Sequence, residues 1–303
     1  MKAMTAAIVA LACVAAASHA QPVWSVQYMI DESQTVLGEP QSVSPRDNRG
    51  LALSPDGQFL YAGYNSGSEV RKIDVTVADY VDATVARATG VRGKAIAVDD
   101  VGRVYCAEGS SIVAFDADLN PLGFTILTGT CEGVAVTREA GTLVLYGTDR
   151  NAGTLTRWEL TESGDGITGA IPAGLDGDGV LQVIGGGSPG ELRGCEVDPA
   201  TGRIWMADYD EAKIWHVGTD GADLTSIDLT GNPMDIGFFD SSAYVSLYSA
   251  RSIAIVRQET FIGTAAPPWE ALELDPDGSG RDGGALSGIA VAPGEGFYVA
   301  NEA

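Results

Sequence analysis

Charged and polar residues recur at the openings of short apolar strands. Asn48 and Arg49 precede Gly50-Leu51-Ala52-Leu53, Lys94 precedes Ala95-Ile96-Ala97-Val98, and Glu132 precedes Gly133-Val134-Ala135-Val136. Arg193 precedes Gly194-Cys195, Asp235 opens Ile236-Gly237-Phe238, and Ser287 precedes Gly288-Ile289. A second set follows the next strand of each copy: Asn65, Glu108, Asp149 with Arg150, Asp208 with Asp210, and Asn301. Gathered at one place, carboxylates and bases of this kind suit calcium, a hard cation that prefers carboxylate oxygen. A bound cation would offset carboxylates that otherwise repel an anionic ligand such as a phosphate. Loop charges also occur as ordinary solvated surface, so the chemistry depends on a fold that collects them.

Other chemistries lack material. The chain has two histidines, His19 and His216, too few for zinc sites or histidine-based triads. No Cys-x-x-Cys, phosphate-cradling glycine loop or dinucleotide fingerprint is present. Beyond Cys13, the cysteines are Cys106, Cys131 and Cys195, an odd set allowing at most one disulfide and reading as small buried residues. Asp275-Pro276-Asp277-Gly278-Ser279-Gly280-Arg281-Asp282 starts like an EF-hand loop, but Leu286 stands where that motif needs a bidentate Glu. Leu175-Asp176-Gly177-Asp178-Gly179 is shorter still, and both loops read first as acidic turns.

Charge and the amino-terminal segment bound the setting. The 303 residues include 41 acidic and 18 basic side chains, a net charge of −23. Such a surface repels nucleic acid and anionic lipid and draws cations. Lys2, the apolar stretch Ile8–Ala15 and the small residues Ser18-His19-Ala20 before Gln21 have the order of a secretory signal. Residues 1–20 are therefore expected to be removed near Ala20, leaving 21–303 as one periplasmic or secreted domain. No later segment approaches the roughly 20 apolar residues of a membrane span, so no membrane insertion is expected.

The elements that must position the charged residues form a repeat. Each copy has an apolar strand opening at a small residue, a turn, a second apolar strand, a polar loop and a third strand. Copies start near 50, 95, 133, 194, 235 and 288. The strands are rich in Val, Ile and aromatics, with Gly, Asp, Asn and Pro between them. The last copy has only two strands, 287–291 and 296–300, while Val23–Met29 and Gln34–Leu37 are left over at the other end. The expectation is an all-β, six-bladed β-propeller whose last blade takes two N-terminal and two C-terminal strands, leaving no exposed edge.

Thr156-Arg157-Trp158-Glu159-Leu160 through Ile167-Thr168-Gly169, and Arg193-Gly194-Cys195-Glu196-Val197-Asp198-Pro199 through Asp208-Tyr209-Asp210 to Ile214-Trp215, add a resemblance. Over about 60 residues this stretch resembles the β-propeller phytases, calcium-dependent secreted phosphatases with six blades. More distantly the chain is similar to NHL and gluconolactonase-like propellers. The resemblance implies calcium held by Asp208, Asp210, Glu132 and Asp235, with Arg150, Arg193 and Lys94 offsetting charge on a phosphoryl group. Arg150 falls where the family has a phosphate-pocket lysine. Departures are specific: Arg193 replaces a calcium-binding Glu, Asp208-Tyr209-Asp210 replaces Glu-Glu-Asp, and Ser66 and Gly109 fall where bases are expected.

Three readings follow. One is a calcium-dependent hydrolase of a small anionic phosphoester. The second is a non-catalytic propeller gripping an envelope protein, peptide or glycan, with the chain acting as a monomer. The third is lactonase-like hydrolysis around one metal held by Glu132, Asp235 and Asn301.

Overall fold

The structure is a computed structural model describing residues 7–14, 23–31, 48–76, 84–174, 178–184, 190–239, 242–250, 252–257, 269–273, 285–292 and 296–302. In chain order the strands are β1 (Ala7–Val14), β2 (Val23–Asp31), β3 (Asn48–Leu53), β4 (Phe59–Tyr64), β5 (Glu69–Asp74) and β6 (Thr84–Thr89). Then come β7 (Ala95–Val98), β8 (Val104–Ala107), β9 (Gly109–Phe115), β10 (Pro121–Glu139), β11 (Thr142–Asp149), β12 (Thr154–Ser163), β13 (Gly166–Pro172) and β14 (Val180–Val183). The rest are β15 (Leu192–Val197), β16 (Ile204–Asp208), β17 (Lys213–Val217), β18 (Thr225–Asp228), β19 (Pro233–Phe239), β20 (Ser242–Leu247), β21 (Ser252–Arg257), β22 (Trp269–Glu273), β23 (Ala285–Ala292) and β24 (Gly296–Glu302). The described residues hold no helix, and hence none long and apolar enough to cross a membrane.

Strands adjacent in sequence pair antiparallel. They give the sheets β3-β4-β5-β6, β15-β16-β17-β18 and β19-β20-β21-β22, and one larger sheet from β7 to β14. The larger sheet arises because β10 serves two repeats. Its first half pairs with β9 and its second half, from Cys131, pairs with β11.

Turn chemistry accounts for the hairpins. Asp99 Oδ1 accepts the amides of Val101 and Arg103, while Asp198 Oδ1 accepts that of Ala200 at 2.8 Å. Gly102 and Gly202 complete these turns at φ 91° and 71°, a region where a Cβ is strained.

Each repeat's opening strand packs on the next: β3 on β7, β7 on β10, β10 on β15, β15 on β19, β19 on β23, and β23 on β3. These inner strands approach so closely that small residues are required. A Cβ on Gly133 would lie 2.6 Å from Thr148 Oγ1 and 2.8 Å from the Cys195 amide nitrogen. One on Gly288 would strike the Arg49 carbonyl. The second strands lie between neighbouring sheets and are buried on both faces, so β16 (Ile204-Trp205-Met206-Ala207-Asp208) is buried throughout. The apolar core is divided accordingly. Leu60, Ala62 and Ile73 pack on Ala290, Tyr298 and Ala300, and Val144, Tyr146 and Leu155 pack on Leu192, Ile204 and Met206.

The terminal sheet has the order β2-β1-β24-β23, joining Trp24 and Tyr298 in one sheet and drawing two strands from each end of the chain. The strand identities differ from expectation. Ala7–Val14 and Val23–Asp31 supply the two N-terminal strands, which were expected to be Val23–Met29 and Gln34–Leu37. The physical reason is that an apolar run of Ala, Ile, Val and Leu satisfies a strand position as readily as it satisfies an export signal. Gln34–Leu37 and the 275–282 loop lie outside the described residues.

Candidate functional site

Arg49, Lys94, Glu132 and Arg193 open or immediately precede inner strands, so the close packing of those strands brings them together. Glu132 is the hub. Its side chain is 2% exposed, and Lys94 Nζ donates to Oε1 at 2.5 Å. Arg49 Nη1 and Arg193 Nη1 donate to Oε2 at 3.2 and 2.9 Å, and Arg150 Nη1 stands 4.0 Å from Oε1. Burial by itself would raise the Glu132 pKa. The Lys94 hydrogen bond and the charges of Arg193, Lys94 and Arg49 outweigh it and hold the carboxyl below the ordinary range.

A second carboxylate, Glu191, bridges Arg150 Nε and Arg193 Nη2. Burial, together with Asp210 beside it, raises its pKa despite the two guanidinium groups. The Arg193 guanidinium also lies over the Tyr209 ring, 5.2 Å from its centroid, and Tyr209 meets Tyr248 edge-on at 5.8 Å. Sequence reasoning missed Glu191 and this aromatic pair. Glu191 precedes its strand and so falls out of phase with the repeat. The signal that would have found it is its position two residues before Arg193, on the same side of an extended chain.

The four carboxylates expected to share calcium do not form one ligand set. Glu132 is surrounded by cations, which would repel a calcium ion placed against it. Asp208 is fully buried, with Oδ1 accepting the Glu211 amide at 3.1 Å and Oδ2 the Trp215 indole N–H at 3.0 Å. Asp235 accepts the Ile236 amide at 3.0 Å and the Ile289 amide at 3.1 Å, and so ties β19 to β23. Asp210 is exposed beside Glu191. Among the described residues no three His, Cys, Asp or Glu side chains come together as a metal site. The donor set does not fit calcium. What the fold assembles instead is Arg150, Arg193 and Lys94 with Arg49.

The remaining expected positions are structural or peripheral. Asp149 Oδ2 accepts the Thr130 amide and Oδ1 those of Asn151 and Ala152, which closes a turn. Glu108 accepts the Ser111 hydroxyl. Cys106, Cys131 and Cys195 are buried free thiols. His216 is buried against Trp205, and its Nδ1 accepts the Arg203 Nε–H at 2.9 Å.

Sheets of this order, packed face on face around their opening strands, define a β-propeller. Solved structures agree. The chain is similar to the nidogen/laminin complex at TM-score 0.60 and 12% identity, covering 94% of this chain and 97% of that one. It is similar to the hydrazine synthase of Kuenenia stuttgartiensis at TM-score 0.57 and 15% identity, covering 92% and 84%. The WD40 repeats of RRP9 match at TM-score 0.55 and 11% identity, covering 81% and 71%. At these identities the likeness is one of fold. No family model matches the chain, and no curated protein matches it in sequence.

Proposed function

We propose that this chain is an exported, six-bladed β-propeller that binds a small anion, a phosphoester or carboxylate, at the mouth formed by Arg49, Lys94, Arg150 and Arg193. The repeat spacing and the terminal sheet drawn from both chain ends support the blade count. Lys2, Ile8–Ala15 and Ser18-His19-Ala20 support export, and removal of residues 1–20 leaves β2 as the first strand of the chain.

One observation carries the binding reading. In a chain of net charge −23 with 18 basic residues, four converge on one mouth, and the buried Nε–H of Arg193 has no hydrogen-bond partner among the described residues. A buried donor left unmade is costly unless a ligand completes it. Guanidinium groups suit that task because their fork geometry matches phosphate and carboxylate oxygens. Glu132 and Glu191 hold the bases in place when no anion is bound. The site supplies positive charge and hydrogen-bond donors, the chemistry that recognition of an anion requires.

Titration calorimetry with inorganic phosphate and with citrate tests this. Saturable binding of at least one anion, weakened in Arg150→Ala, is expected; no binding of either anion overturns it.

A further inference from the structure

The far end of the same inner-strand surface has a different chemistry. A cavity of about 500 Å³ is lined by Leu53, Val98, Val136, Val197, Phe238 and Val291, each from a different inner strand. Its volume falls within the roughly 300–1,000 Å³ of ordinary small-molecule sites. The wall is apolar apart from the Ser54 hydroxyl and one carboxyl. Glu196 is the one ionisable side chain among the lining residues, and it is only partly covered. Its Oε1 accepts the amide of its own neighbour, Val197, at 2.9 Å. Asp235, the nearby acid, accepts the amides of Ile236 and Ile289 with its two oxygens and brings no positive charge to Glu196.

We infer that this cavity binds an amine or guanidine carried on an apolar body, with the cation meeting the Glu196 carboxylate and the hydrocarbon covering the valine, leucine and phenylalanine wall. The argument is one of complementarity. A carboxylate set against an apolar wall loses part of its hydration, a cost that a paired opposite charge offsets. An anionic ligand would meet Glu196 as a like charge, and a neutral apolar ligand would desolvate it without a partner. The negative field of the whole chain also concentrates cations. The apolar surroundings support the assignment by raising the Glu196 pKa to about 7, with no cation beside it to oppose the shift. This site is separate from the basic mouth and independent of what binds there.

The test compares phenethylamine with 2-phenylethanol and 3-phenylpropionate, probes of one apolar body and three charge types, by titration calorimetry on the whole chain. The amine is expected to bind about tenfold or more tightly than the alcohol, as one charge-assisted contact provides, and the acid more weakly than either. Glu196→Gln should erase the preference for the amine while leaving alcohol binding and inorganic phosphate binding unchanged. Equal binding of amine and alcohol to the unaltered chain overturns the proposal, as does absence of amine binding. An amine preference that survives in Glu196→Gln overturns it as well. The comparison on the unaltered chain decides the matter even if the variant does not fold.

Discussion

Glu132 Oε2 and Arg193 Nη1 meet at 2.9 Å across the boundary between β10 and β15, 61 residues apart in sequence. The pair is buried on both sides, so it joins two repeats and fixes the centre of the basic mouth. Replacing Glu132 by Gln strands Lys94, Arg49 and Arg193 without their shared counter-charge. Removing one partner of a buried pair costs about 3–5 kcal/mol, and Glu132→Gln is expected to lose stability on that scale in urea unfolding. Added phosphate should restore part of the loss, because it supplies the missing negative charge.

Arg150 is the contrasting case. Its side chain is 38% exposed, and it contacts Glu191 at the rim. Arg150→Ala is expected to weaken phosphate binding by about tenfold, the worth of one charge-assisted contact, while thermal melts shift little.

Asp235 predicts a pH dependence. Burial raises its carboxyl from 3.8 to about 8, against the pull of the Ile289 and Ile236 amides. The folded state therefore holds a proton that the unfolded chain releases near pH 4. Stability from this group is full below that pH and is lost as pH rises through about 8. Relative to Asp235→Asn, the unaltered protein should be favoured most in acid, with the difference narrowing toward pH 8. A constant difference from pH 4 to pH 8 would count against this assignment.

Backbone approach gives a steric prediction. Gly133 sits where a Cβ would meet the Arg193 carbonyl and the Cys195 amide, both backbone, as well as the buried Thr148 Oγ1. Gly133→Ala is expected to lose about 1–3 kcal/mol, as overpacked cores do. Gly166→Ala, whose nearest contact would be 3.5 Å, serves as the control and should lose less in the same denaturant titration.

Much of this architecture was legible in the sequence, for a physical reason. Gly50, Ala95, Gly133, Gly194 and Gly288 mark repeat openings because the inner strands leave no room for larger side chains there. The residues just before them, Arg49, Lys94, Glu132 and Arg193, share a mouth for the same reason. The continuity of β10 across two repeats was not legible, because a connecting strand and a loop with a strand at each end have the same local pattern. The position of Ala7–Val14 was hidden because its composition fits an export signal equally well. The roles of Asp208 and Asp235 were hidden for another reason: composition shows a carboxylate, but only the fold shows that backbone amides and the Trp215 indole already occupy it.

The most direct test of the basic mouth is a pair of thermal melts of the whole chain, one titrated with inorganic phosphate and the other with calcium chloride. A ligand that binds only the folded state raises the melting temperature with its concentration. The arrangement around Glu132 predicts a rise with phosphate and a smaller or absent one with calcium. A rise with calcium and none with phosphate would contradict it.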